Sequence, residues 1–246
     1  MAAYLLTSPE LVVGSADLTP YSNQVTFGPI SAEVKDATTF ASGGYTINVP
    51  GLRSAPFNVS GYQDFAASAL ETTLGGSFLG SQVPVSLGTA NTAAAPAYLL
   101  RGNVTGYTPW AGSVGDLAGF SFDVASDTIV TSGQVAHALG AETATANGTI
   151  LTMTGPAATQ RMYAALHVTA ISGTATPTLT ATVQSAATVG FGSPTSRISF
   201  TAATAVGSQW SSVAGAVTDG YWRVAWTISG TNPSITFFVT LGVGPA

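Results

Sequence analysis

The residues able to do chemistry are few: two histidines, His137 and His167, eleven carboxylates and no cysteine among 246 residues. Without cysteine there is no thiol nucleophile, thiolate metal site or disulfide framework. Neither histidine sits in a metal-ligand spacing such as His-Glu-x-x-His. His167 takes the opposite strand face from Met162, Ala164, Leu166 and Val168, which predicts a solvent-facing side chain, and His137 receives the same surface reading. Gly43-Gly44 and Gly75-Gly76 lack the following Lys-Ser/Thr of a phosphate-cradling loop. Asp116, Asp123 and Asp127 form an acid/base set only if the fold gathers them. The expectation is a protein with no catalytic residues, no metal and no cofactor.

The elements around these residues read as strands. In the second half, Leu179, Ala181 and Val183 alternate with Thr178, Thr180, Thr182 and Gln184. Trp222, Val224, Trp226 and Ile228 alternate with Tyr221, Arg223 and Thr227, and Ile198/Phe200 and Ile235/Phe237/Val239/Leu241 repeat the pattern. Period two with polar partners marks a sheet wet on one face. Turn chemistry at Gly173 to Pro177, Gly190 to Pro194, Asp219-Gly220 and Gly230 to Pro233 separates the runs. Together these predict an antiparallel β-sandwich, jelly-roll or immunoglobulin-like, of about a hundred residues. Aliphatic neighbours on the same face place Trp222 and Trp226 in its core. A carbohydrate-binding or host-surface adhesion module, the alternative reading, would expose them for stacking.

In the first half, strands are expected around Val25–Val34, Arg53–Tyr62, Val83–Leu87, Tyr98–Tyr107 and Leu117–Val124. One flanking α-helix is expected at about 64–75: Asp64 suits an N-cap, the following residues are good helix formers, and Gly75-Gly76 would end it. Phe65, Ala69 and Leu74 form its expected buried stripe. Residues 1–22 read as an irregular N-terminal arm and 36–50 as an irregular loop.

Composition bounds the rest. Charged residues make up 7% of the chain, against about 25% in an ordinary soluble domain. A membrane span does not explain this poverty: Met162–Ser196 and Val224–Ala246 lack acids and bases, yet Ser, Thr, Gly and Pro interrupt both. Four Trp, eleven Phe and eight Tyr in a chain 46% hydrophobic argue against disorder. The start lacks a basic stretch before Glu10, so no signal peptide is expected. A net charge of −5 offers no basic surface to grip nucleic acid. Residues 1–140 carry nine acids and three bases, a net of −6, while 141–246 carry a net of +1. This places a domain division at 140/141.

Three segments carry a family resemblance: Glu33-Val34-Lys35 followed by Asp36-Ala37-Thr38-Thr39-Phe40; Pro50-Gly51-Leu52-Arg53; and Gly61-Tyr62-Gln63-Asp64-Phe65. Their order resembles the tail tube (major tail) proteins of long-tailed bacteriophages, particularly those of actinobacteria. Residues 159–168 and Gly220-Tyr221-Trp222-Arg223-Val224 resemble the continuation found in some of them. The resemblance implies a mainly β fold: a tail-tube β-sandwich with one flanking helix over 1–140, then a C-terminal decoration sandwich over 141–246. It further implies a virion protein assembled in the host cytoplasm. Hexameric rings of it would stack into a channel for genome delivery. Its partners would be other copies of itself, tape-measure and tail-terminator proteins, and DNA in transit without tight binding, with no membrane insertion. A lumen passing DNA should lack rows of Lys or Arg. Alternation nominates Asn58, Ser60, Ser121 and Asp123 as lumen-facing residues. Asp36, Thr39, Phe40 and Tyr45, in the loop 36–50, are nominated for contacts between subunits, and the arm before Pro20 is expected to contact stacked rings.

Overall fold

A computed structural model describes residues 7–66, 70–74 and 78–246. Its strands are β1 Glu10–Val13, β2 Ala16–Asp17, β3 Ser22–Phe27, β4 Ser31–Asp36, β5 Asn48–Ser54, β6 Pro56–Tyr62, β7 Gln82–Gly88 and β8 Pro96–Ala111. They continue as β9 Gly119–Ser126, β10 Thr131–Glu142, β11 Ala146–Asn147, β12 Leu151–Thr152, β13 Gln160–Ala186, β14 Thr195–Ser199, β15 Gly207–Ala214 and β16 Tyr221–Pro245. Fourteen of them join one sheet system whose main path runs β14-β13-β16-β10-β8-β7-β1-β2, with β9, β6 and β3 branching from β8, while β4 and β5 pair only with each other. The fold is therefore mainly β, and every strand pairing in it is antiparallel.

The second half is organised by β13 and β16, strands of 27 and 25 residues that pair along almost their whole lengths. Both bend at one place, where the register shifts around Thr174↔Thr231. The turn signals at Gly173–Pro177 and Gly230–Pro233 are thus not strand ends. They are facing corners in continuous strands, made possible by positive φ at Gly173 and Gly230. Bending brings like faces together: Met162, Ala164 and Leu166 from one arm share a core with Leu179, Ala181 and Val183 from the other, and Trp222, Trp226, Phe237 and Leu241 complete it. Trp226 meets Phe237 edge-on at 5.5 Å. Trp222 Nε1 donates to Met153 O and Trp226 Nε1 to Ala144 O, which satisfies the polar end of each indole.

A separate core fills the first half, built from Leu11, Val13, Leu18, Phe57, Val59, Phe120, Phe122, Val124 and their neighbours. Several expectations are corrected here. Residues 10–13 are not an irregular arm but a buried strand paired with β7 and β2. In place of the helix over about 64–75, one turn is described, α1 Leu70–Leu74, with residues 67–69 and 75–77 outside the described residues. Asp64 to Ala66 are not helical, and the buried pair is Leu70 and Leu74; Phe65 lies exposed against Trp110. The strand expected over Val25–Val34 is broken by Gly28-Pro29 into β3 and β4, and that over Arg53–Tyr62 breaks at Ala55. β10 crosses position 140/141, pairing with β8 on one edge and β16 on the other.

Candidate functional site

Alternation on β6 and β9 buries Phe57, Val59, Phe120, Phe122 and Val124, so the intervening residues point away from the core. The ladder aligns them across the strands, pairing Asn58 with Asp123 and Ser60 with Ser121. All four lumen candidates are therefore neighbours on one sheet face. Thr26 and Gln24 of β3 extend that face on one side and Thr108 of β8 on the other. Asn58 Nδ2 donates to Asp123 Oδ1 at 2.7 Å. A Cβ on Gly106 would sit 2.8 Å from Asp123 Oδ2, so glycine leaves the carboxylate its room. These seven side chains are neutral except Asp123, and none is cationic. Such a face offers phosphate no cation to pair with and one repelling charge.

The four subunit-contact candidates lie on the β4–β5 hairpin. Its ladder runs from Ser31↔Ser54 to Asp36↔Asn48, so residues 48–50 belong to a strand rather than to an irregular loop. The tip is ordered by side-chain turns: Thr38 N donates to Asp36 Oδ1 (2.8 Å), Thr39 N to Ser42 Oγ (2.8 Å) and Ile47 N to Thr38 Oγ1 (3.0 Å). Hydrogen bonds from the Thr38 hydroxyl and amide hold the Asp36 carboxyl below its usual range. No residue of either strand is buried. Phe40, Tyr45 and Leu52 are 113%, 80% and 83% exposed, and Val34 and Val49 are exposed beside them. Alternation had no means of flagging Val34, Val49 and Leu52, because a strand's pattern cannot say that nothing covers its apolar side.

Both histidines are buried, contrary to the surface expectation. His167 Nδ1 lies 2.7 Å from Gly14 O, which can only accept, so this nitrogen carries the proton. Nε2 then accepts from Ser86 Oγ at 2.8 Å, and Ser86 Oγ meets Thr240 Oγ1 at 2.7 Å. Burial pushes His167 down to about 4, against a smaller opposite pull from Gly14 O. A Ser–His pair at this distance has nucleophile–base geometry. Here, however, Ser86, His167 and Thr240 are all 0% exposed, so no substrate reaches the hydroxyl. His137 stacks on Phe237 at 4.0 Å with Nε2 3.3 Å from Glu142 Oε1; burial lowers its pKa while Glu142 opposes the shift. Asp116, Asp123 and Asp127 are not assembled: Asp123 pairs with Asn58, Asp127 with Arg101, and Asp116 Oδ2 accepts from Ser113 N. Among the described residues, no group of three or more His, Asp or Glu converges on a point where a metal would sit.

No protein-family model and no curated protein matches this chain. Among solved structures, it is similar to the SPP1 Dit (gp 19.1) protein, described as a paradigm of the hub adsorption apparatus in phages infecting Gram-positive bacteria. That likeness covers 97% of this chain and 100% of the other, at 12% identity and a TM-score of 0.40.

Proposed function

We propose that this chain is a non-catalytic structural subunit of a bacteriophage tail, of the tail-tube type, acting in the virion as stacked hexameric rings. The observation that carries this reading is the β4–β5 hairpin. It has its own ladder but no core, and it presents Val34, Phe40, Tyr45, Val49 and Leu52 to solvent. Exposed apolar side chains on an open-edged ribbon are a liability in a monomer and an asset at an interface. The same residues lie within the stretch that resembles tail tube proteins. The polar face of Asn58, Ser60, Ser121 and Asp123 suits a channel wall that DNA slides past.

Negative-stain microscopy of the purified chain tests the reading. Rings or tubes are expected from the wild type, and folded, unassembled protein from Phe40→Ser/Leu52→Ser. A wild type that stays monomeric at high concentration would refute it. In particles carrying Asp123→Lys, assembly should persist while genome delivery slows, because the new cation sits where phosphates pass.

A further inference from the structure

β9 has a projection before its first residue and a cleft beyond its last. The projection is the β8–β9 turn, residues 112–118. Asp116 N donates to Ser113 O at 3.0 Å and Ser113 N to Asp116 Oδ2 at 3.2 Å, which closes the turn. Val114, inside it, is 108% exposed and Leu117 71%, and the exposed Trp110 and Phe65 rings meet on its flank at 5.6 Å. The cleft lies at the root of the β4–β5 hairpin. Ile30, Ala32, Arg53, Ile129 and Val130 are among its walls, and its volume is about 490 Å³. Sites of a few hundred Å³ enclose whole small molecules, so two aliphatic side chains fit. Charge is unanswered at both ends. The ion pairs among described residues are Lys35–Glu33, Arg101–Asp127, His137–Glu142 and Arg197–Asp219, which leaves the Arg53 guanidinium without a carboxylate and the Asp116 carboxylate without a cation. Asp127 also lines the cleft, but Arg101 already holds it.

We propose that the β8–β9 turn of one copy of this chain seats in the hairpin-root cleft of the next, with Val114 and Leu117 against Ile30, Ile129 and Val130, and Asp116 against Arg53. The occupant is a second copy because one chain holds both halves of the contact and cannot join them itself. β9 is eight residues long, which sets turn and cleft about 25 Å apart. Complementary patches at opposite ends make a heterologous, head-to-tail contact, which repeats from copy to copy instead of ending in a two-fold pair. Each step covers apolar side chains that a single copy leaves in water. It also pairs two charges at the rim, where they fix register more than affinity. This contact rests on the reading of the chain as a self-assembling tail subunit and says which surfaces join its copies.

The chain has no cysteine, so disulfide trapping tests the contact directly. Full-length Val114→Cys and Ala32→Cys, both at exposed positions and verified as folded by circular dichroism, are mixed in equal amounts, assembled and mildly oxidised. Their mixed disulfide should form at least about five-fold more than that between Val114→Cys and Val206→Cys, an exposed position of the second half, because Cα atoms more than about 7 Å apart are not bridged. A chain carrying both Val114→Cys and Ala32→Cys should give a ladder of cross-linked oligomers. Assembled rings or tubes in which this pair cross-links no better than the control would overturn the contact and leave the tail-tube reading standing. A chain that stays monomeric at high concentration and does not cross-link would overturn both. Arg53→Asp and Asp116→Arg should each raise the concentration needed for assembly about tenfold, and the two combined should restore it. A combined variant as impaired as either alone would also overturn the contact.

Discussion

Acidification should set two buried groups against each other, and single substitutions should separate them. His167 has an ordinary value of 6.5 and is held at about 4 in the fold. Between those values the unfolded chain binds a proton that the folded chain refuses, so stability falls as pH falls. At 1.36 kcal/mol per pH unit, the loss from this side chain is about 3 kcal/mol by the time pH 4 is reached. His137, also lowered, acts in the same direction. Glu10 acts in the opposite one. Its carboxyl is raised from 4.5 to about 7, so the folded chain binds the proton first and gains stability as pH falls from 7 towards 4.5. The two shifts, each caused first by burial, are of similar size and opposite sign, so they largely offset each other between pH 7 and 4.5, and His137 leaves a small net loss. The wild type should therefore show a shallow decline over this range, measured as the urea midpoint of unfolding. Glu10→Gln should steepen it. His167→Gln should lower stability at neutral pH, through loss of the Ser86 and Gly14 bonds, yet flatten or reverse the slope. A His167→Gln profile parallel to that of the wild type would show that His167 does not titrate as its burial requires.

Two further outcomes concern the scaffold. Trp222→Ala empties the largest fully buried side chain of the second core and should cost about 3 to 5 kcal/mol in denaturant unfolding; a loss below about 1 kcal/mol would mean the core collapses into the space. Gly133→Ala would place a Cβ 1.8 Å from Leu241 O across the β10–β16 ladder. Backbone must move to admit it, so thermal unfolding should show a loss of roughly 2 kcal/mol or more.

Much of the fold was legible because alternation is a local property. Trp222 and Trp226 lie in the core that their aliphatic neighbours indicated, and Asn58, Ser60, Ser121 and Asp123 share the face that Phe57, Phe120 and Phe122 vacate. What was not legible depends on what packs from a distance. Position 167 lies on the opposite face from Leu166, but only the fold brings Ser86 and Gly14 over that face and turns a surface histidine into a buried one. Gly173 and Gly230 carry turn chemistry, but whether a glycine with positive φ ends a strand or corners it depends on the partner bending at the same place. The segment 36–50 looked irregular because its Ser, Thr and Gly serve the hairpin tip, while the ladder that continues to Asn48 is set by pairing. Glu10 opens an apolar run, Leu11-Val12-Val13, and that position was the available sign of its burial.

β10 gives one edge to β8 and the other to β16. A module attached by a tether swivels, and its bearing averages out. Here the backbone hydrogen-bond ladder itself passes from one half to the other, so the second half turns only when the first does. In any array of copies, each C-terminal unit would hold the same bearing about the array's axis, a fixed compass point rather than a pennant.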